Sequence, residues 1–279
     1  MSKLESSSSN SILKLSVAAS VAALSLSAMA ADKYKWDNNG GDYRIANGDN
    51  WYLDSVDPKV YGAPTLETDC EYSKGDAIFL LGGETFTAKK VDFGNYGPAA
   101  TIDVTNGTFT VAEDVTIGRY GQNAKFNIFD GNVTVRRFNV GHWGSHDDIT
   151  LNIYGGDITL TGEGNPWPAT LVLGLQTESR GDMFVKGGVV TVNGGVRVGF
   201  SNLTNIGGPS ASYNSSITVD GGSLSASGTI AVADSDSGNG GGGAVCARSS
   251  SYTDLDGAAG GSGSTGTSST SYVRIYRFE

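Results

Sequence analysis

Cysteine and basic residues are scarce in this chain, and each shortage argues against a class of protein. The 279 residues include two cysteines, Cys70 and Cys246, which lie far apart in different kinds of sequence and do not make a disulfide framework. The 19 lysine and arginine residues are outnumbered by 29 aspartate and glutamate residues, so the net charge is −10. Because an acidic surface repels phosphate groups, we expect no nucleic-acid partner.

Long apolar runs are also rare, and the most extended one lies near the N-terminus, at residues 15–26. Two lysines precede it and Ala28-Met29-Ala30 follows it. A basic start, an apolar run too short to span a bilayer and an Ala-x-Ala triplet are typical of a secretory signal peptide. We therefore predict that residues 1–30 are a signal peptide cleaved near Ala30. The mature chain is expected to lack a transmembrane segment and to be exported, to the medium or to the cell surface in association with the outer membrane.

Glycine, by contrast, is abundant, with 41 residues, and many glycines recur at fixed positions of a repeated pattern. In residues 99–121, Ile102 and Val104 lie five and three residues before Gly107. Two apolar residues separated by one residue form the inward face of a short β-strand. The same pattern precedes six turn glycines: Gly83, Gly107, Gly131, Gly156, Gly188 and Gly222.

Each copy also predicts two further short strands. The second strand has its inward pair two and four residues after the turn glycine, as at Phe109 and Val111. The copy at Gly83 departs from this rule, because two threonines occupy these offsets and Phe86 lies between them. The third strand ends on a small residue in every copy: Gly94, Gly118, Gly141, Gly174, Gly199 and Ala233.

Copies that repeat every 24 to 34 residues and contain only short strands indicate a solenoid, whose coils bury their apolar residues by stacking. We therefore predict an all-β protein, a right-handed parallel β-helix (β-solenoid) of about six three-strand coils at residues 75–237. Residues 238–279 are rich in glycine and serine and are expected to be a flexible tail, within which the alternating residues 272–278 are a candidate isolated strand. Residues 31–74 do not follow the repeat and are expected to cap the first coil with four aromatic residues: Trp36, Tyr43, Trp51 and Tyr52.

The repeats resemble those of type V autotransporter passenger regions and of bacterial surface proteins that carry a PEP-CTERM sorting tail. The resemblance rests on segments such as Ser216-Ile-Thr-Val-Asp-Gly-Gly-Ser-Leu224 and Asp114-Val-Thr-Ile-Gly118, and it covers residues 75–233. It implies a β-solenoid at the bacterial surface rather than a particular activity. The sequence departs from the second family because the Pro-Glu-Pro motif of the sorting tail does not occur in it.

Aromatic residues recur just after the third strands of several copies. If the coils are in register, these residues stack along one edge. An exposed stack suits a polysaccharide or a cell-surface glycan, because sugar rings lie on aromatic planes, whereas an internal stack only stabilises the corner. Both interpretations apply to the same four candidate residues: Tyr96, Tyr120, Trp143 and Phe200.

One loop concentrates the side chains that commonly bind metal ions. Two imidazoles and two carboxylates within seven residues are able to bind a divalent transition metal. The cluster occurs in only one copy, so a solvated turn is the alternative interpretation. Its members are His142, His146, Asp147 and Asp148.

Parallel β-helices also include polysaccharide lyases and hydrolases, which group carboxylates with basic residues on adjacent coils. Asp103, Asn127 and Asn152 are predicted to align at one outward position, but only one of them is a carboxylate. Arg136 and Arg137 keep the enzyme as a lesser alternative. We expect a non-catalytic structural or adhesive surface protein without a cofactor, and a carbohydrate-binding module is the main alternative.

Overall fold

The computed structural model describes residues 32–95, 98–120, 123–142, 148–164, 169–175, 179–199, 215–232, 243–248 and 272–276. Nineteen strands in these residues join in one β-sheet, and a single 3-10 turn spans Gly48–Asn50. The all-β prediction is confirmed, since the described residues contain no α-helix. Nothing in this part of the chain is a helix of the length and apolar character that crossing a membrane requires.

The first strands of successive copies pair with one another, and every one of these pairings is parallel. This first ladder consists of β4 (Ala77–Leu80), the opening parts of β7 (Thr101–Arg119) and β8 (Lys125–His142), β9 (Thr150–Ile153), β12 (Asp182–Val185), β15 (Ser215–Asp220), β18 (Gly243–Arg248) and β19 (Tyr272–Tyr276). Its inward positions coincide from copy to copy. Ile102 pairs with Phe126, and Phe126 pairs with Leu151, and all three are buried.

Two further parallel ladders join the same copies. The second ladder consists of β5 (Thr85–Ala88), the middle parts of β7 and β8, β10 (Asp157–Leu160), β13 (Val189–Val192) and β16 (Ser223–Ala226). The third ladder contains β6 (Lys90–Phe93), the final parts of β7 and β8, β11 (Leu171–Leu175), β14 (Val196–Val198) and β17 (Ile230–Val232). Six successive copies thus each contribute one strand to each ladder.

Inward residues of the three ladders form one continuous hydrophobic core. Aromatic rings of successive copies contact one another within it. The ring centroid of Phe109 lies 5.2 Å from that of Phe86 and 5.3 Å from that of Phe126, and within one copy the centroid of Phe126 lies 5.7 Å from that of Phe138. Since a buried aromatic residue removes a large apolar area from water, these contacts are a major source of stability between copies.

The copy at Gly83 corrects the rule for the second strand. Leu80 pairs with Val104, but Phe86 pairs with Phe109, so the turn at Gly83 is one residue longer than the turn of the next copy. The extra residue restores the register. Phe86 is the inward residue of this strand and is 2% exposed.

The N-terminal segment contributes three strands to the same sheet. β1 (Lys33–Trp36) pairs antiparallel with β2 (Trp51–Leu53) and parallel with β3 (Asp69–Tyr72), and β3 pairs parallel with β6. β1 and β3 therefore extend the third ladder backwards from the first copy. This pairing is a feature that the irregular sequence of residues 31–74 does not predict.

Two of the four aromatic residues expected in the cap lie at the end of the core. Trp51 is completely buried, with its ring centroid 5.1 Å from that of Trp36 and 5.8 Å from that of Phe86. The other two differ from the prediction. Tyr43 is 39% exposed, and Tyr52 packs against Tyr61 at 6.3 Å. The two indole rings occupy the end of the core, so these phenol rings remain outside it.

Strands β18 and β19 lie in the segment expected to be a flexible tail. β18 pairs parallel with β15, and β19 pairs parallel with β18. The structure thus differs from the expectation of a flexible tail at β18, and the candidate strand within residues 272–278 is paired rather than isolated. The reason is local composition: residues 244–247 are Ala, Val, Cys and Ala, and residues 272–276 are Tyr, Val, Arg, Ile and Tyr, unlike the Gly/Ser sequence between them.

Candidate functional site

The predicted aromatic edge is described at one of its four residues. Tyr120 lies two residues after the third-strand glycine of β7, and its φ is 56°. The guanidinium carbon of Arg119 lies 5.7 Å from the centroid of its ring. Tyr96, Trp143 and Phe200 lie outside the described residues. The ladder along this edge therefore stays a prediction.

His142, the first residue of the predicted metal cluster, is surrounded by cations. It lies in the third ladder, paired with Arg119 of the preceding copy. Burial, followed by the positive charges of Arg119, Arg137 and Lys90, lowers the pKa of the His142 imidazole to about 3. A divalent cation is repelled by the same charges, so this environment disfavours a metal ion at His142.

The other members of the metal cluster add no support within the described chain. Asp148 is exposed, and His146 and Asp147 lie outside the described residues. Across the part of the chain that the structure describes, no three His, Cys, Asp or Glu side chains are grouped so that they could hold a metal ion.

The position of His142 predicts a pH-dependent stability. The folded protein favours the neutral imidazole down to about pH 3, whereas the unfolded chain binds a proton near pH 6.5. Acidification from pH 7.5 to 5.0 is therefore expected to lower the free energy of unfolding, by at most about 1.4 kcal/mol per pH unit below 6.5. Urea unfolding of the protein and of His142→Gln at both pH values measures this; equal losses in the two proteins contradict the assignment.

Two carboxylates of the third ladder, Asp92 and Asp114, are held in ion pairs. Asp92 lies 3.2 Å from the Lys90 ammonium and 3.3 Å from the Arg119 guanidinium. Asp114 contacts both Arg136 and Arg137, the basic pair on which the enzyme hypothesis depends. These contacts occupy Asp92 Oδ2 and both carboxylate oxygens of Asp114, so the cluster is better explained as a set of ion pairs that join copies.

Cys70 is the nucleophilic side chain of the N-terminal strands. It is a free thiol, 2% exposed, and pairs with Val91 in the third ladder. Burial raises the pKa of the Cys70 thiol, which disfavours the reactive thiolate. Cys70 therefore acts as a small core residue.

The predicted alignment of Asp103, Asn127 and Asn152 is confirmed. These residues are register partners in the first ladder. The Asn127 amide nitrogen donates to Asp103 Oδ1 at 2.7 Å, and the Asn152 amide nitrogen donates to Asn127 Oδ1 at 2.9 Å. Amide side chains thus form a hydrogen-bonded row across three copies on the outward surface.

An exposed aromatic pair lies directly beside this row. Phe129 and Tyr154 are 44% and 40% exposed, and their rings stack with centroids 5.0 Å apart and planes at 11°. The Lys186 ammonium lies 4.8 Å from the Tyr154 ring and 5.9 Å from the Phe184 ring. We call this surface the amide–aromatic face, and its residues are Asp103, Asn127, Phe129, Asn152, Tyr154, Phe184 and Lys186.

Sequence reasoning missed the aromatic part of this face, although the repeat holds its signal. Phe129, Tyr154 and Lys186 each lie two residues before the turn glycine of their copy. Residues two apart on a strand share one side of the sheet, so the aromatic pair follows the amides at Asn127 and Asn152.

The second ladder carries a different outward row. Threonines occupy equivalent positions of five successive copies, and a serine occupies the sixth. The five threonines are half-buried and the serine is exposed, and aligned β-branched residues stabilise a strand surface. The row consists of Thr87, Thr110, Thr134, Thr159, Thr191 and Ser225.

Comparisons with known proteins identify no relative of this chain. No protein-family model, no curated protein and no solved structure matches it. Its function has to be inferred from the side chains that the three ladders present at the surface.

Proposed function

We propose that the protein is a non-catalytic, exported β-solenoid that serves as a structural or adhesive element at the bacterial surface. One observation carries the proposal: β7 and β8, one copy apart, pair in parallel at three separate places, as at Thr101 with Lys125, Thr108 with Asn132 and Thr116 with Asn139. A chain that meets the next copy in all three ladders advances by one coil per copy, which is the geometry of a parallel β-helix.

The core supports a structural role. Each copy buries its inward residues against the next, and the ring contacts between Phe86, Phe109 and Phe126 connect three copies in series. A coil cannot bury these residues alone, so stability comes from stacking. An element of this kind holds its outward rows at a constant spacing, roughly 4.8 Å per copy.

The surface chemistry favours adhesion over catalysis. The aligned outward position of the first ladder has one carboxylate and two amides, and Asp92 and Asp114 of the third ladder are paired with Lys or Arg side chains. Glycoside hydrolysis requires two carboxyl groups facing one bond. Export is supported by the features of residues 1–30 that are typical of a signal peptide.

Secretion of the full chain in a Gram-negative host tests this proposal. The exported protein is expected to begin at Ala31 by mass spectrometry and to release no reducing sugar from a panel of polysaccharides. A protein that stays in the cytoplasm with residues 1–30 intact contradicts the export proposal. Release of reducing sugar contradicts the non-catalytic proposal.

A further inference from the structure

We propose that the amide–aromatic face binds a neutral polysaccharide, with Phe129 and Tyr154 as the stacking residues. The inference adds a ligand class to the adhesive role and rests on the proposed function only for its location at the cell surface. It concerns residues other than the aromatic edge predicted from sequence, since Phe129 and Tyr154 lie at the turn between the first and second strands.

The exposure of the aromatic pair is the first argument. Single apolar side chains at a protein surface are common, but a stacked pair that stays more than one third exposed keeps a large apolar area in water. The copy that contains Phe129 also buries an aromatic residue, Phe126, in the core. The outward position of Phe129 and Tyr154 is therefore not a packing requirement of the interior.

The polar groups beside the pair are the second argument. Carbohydrate recognition combines aromatic rings, which contact the C–H groups of a sugar, with planar amides and carboxylates, which hydrogen-bond its hydroxyls. Asn127 and Asn152 lie two residues before Phe129 and Tyr154 on the same side of the first ladder. Their amides already form one row with Asp103, so their positions are set before a ligand arrives.

Shape and charge select the class of glycan. The face is the outward surface of four in-register strands, β7, β8, β9 and β12. Such a surface suits an extended polymer better than a small molecule that needs a concave pocket. Lys186 on the face and the exposed Lys125, two residues before Asn127, are basic, whereas Asp103 on the face and Asp130 beside Phe129 are acidic. An anionic polymer gains little from two ammonium groups that two carboxylates balance, so we infer a neutral chain.

Native affinity electrophoresis of the full protein tests the inference. Gels contain one neutral polysaccharide each (hydroxyethylcellulose, xyloglucan, galactomannan or glycogen) or polygalacturonate. We expect retardation by at least one neutral polymer and a rise of about tenfold or more in its dissociation constant for the Phe129→Ala/Tyr154→Ala double variant. Tyr43→Ala is the matched control, because Tyr43 is 39% exposed but lies in the N-terminal segment, and its binding is expected to stay within about twofold of the wild-type value.

Several outcomes overturn the inference. It fails if no neutral polymer retards the protein, if only polygalacturonate does, or if the double variant binds as well as the wild-type protein. Thermal unfolding of each variant identifies a purely structural role for the aromatic pair. In that case the double variant has a lower melting temperature, and the wild-type protein binds no neutral polymer. Tyr120→Ala separates the two edges: loss of binding in that variant alone places the site on the edge predicted from sequence. None of these results changes the outcome of the export and sugar-release tests.

Discussion

Replacing Phe126 with alanine is expected to lower the free energy of unfolding by about 3–5 kcal/mol. The ring is completely buried in the first ladder of β8, and its centroid lies 5.3 Å from Phe109, 5.7 Å from Phe138 and 6.5 Å from Phe93. Its removal leaves a cavity between three copies that the surrounding backbone cannot close, because both neighbouring strands are fixed by their parallel ladders. Urea unfolding followed by far-ultraviolet circular dichroism measures the loss.

A matched control lies three residues along the same strand. Phe129 has the same side chain but is 44% exposed, so Phe129→Ala is expected to lower the free energy of unfolding by less than about 1 kcal/mol. Similar losses for the two variants would show that burial does not distinguish these positions. That result would contradict the assignment of inward and outward residues in the first ladder.

Replacing Gly131 with alanine is expected to cost about 3 kcal/mol or more. Gly131 forms the turn between the first and second strands of β8 with a φ of 108°, a conformation that L side chains rarely adopt. A Cβ atom there would lie 2.3 Å from the Gly107 carbonyl oxygen of the adjacent copy. Because the obstructing atom belongs to the backbone, relief requires the two copies to separate. The melting temperature of Gly131→Ala compared with the wild-type protein measures this cost.

Gly83→Ala separates the two contributions to that cost, which are the backbone strain of a positive φ and the contact of the Cβ atom with the adjacent copy. Gly83 occupies the equivalent turn of the first copy with a φ of 80°, but a Cβ atom there would meet nothing within 4 Å. Its substitution is expected to cost only the backbone strain, about 1 kcal/mol. If Gly83→Ala destabilises the protein as much as Gly131→Ala, close approach between copies is not what the turn glycine permits.

The inward face of this protein was predictable because the core repeats. Ile102, Phe126 and Leu151 lie at the same offset from their turn glycines, and the structure pairs and buries all three. A residue that has to be apolar in every copy leaves a regular pattern in the sequence, whatever the path of the chain between copies. The same reasoning predicted the row of Asp103, Asn127 and Asn152, because outward residues between two inward ones inherit the register.

Irregular positions were not predictable in the same way. The copy at Gly83 has one extra turn residue, so a count from the glycine reaches Thr85 and Thr87 and does not identify the inward residues, which the structure shows to be Phe86 and Ala88. Only pairing with β7 shows which face of β5 is buried. The N-terminal strands follow the same rule: β1 and β3 lack the repeat pattern, and their place in the third ladder is set by hydrogen bonding with β6.

The charged side chains show how tertiary contacts select a register. In-register parallel strands bring equivalent residues of successive copies together, so repeated charges of one sign would repel one another. In the third ladder the register partners of Asp69 are Lys33 and Lys90, and that of Asp114 is Arg137, whereas the like-charged partners Glu71 and Asp92 each contact a lysine, Lys33 and Lys90 respectively. Opposite signs at the partners of Asp69 and Asp114 favour the native register, and these residues are 21 to 36 positions apart, too far for a local pattern to reveal.

By itself, the sequence determined that the chain is all-β, which residues face the core and where the turns require glycine, because these are local requirements that every copy must meet. The tertiary structure decided which outward residues become neighbours. Phe129, Tyr154 and Lys186 are 25 and 32 residues apart along the chain and share no local pattern with Asp103. They form one face only because the copies stack in register, and the properties of that face follow from the strand spacing rather than from any single segment.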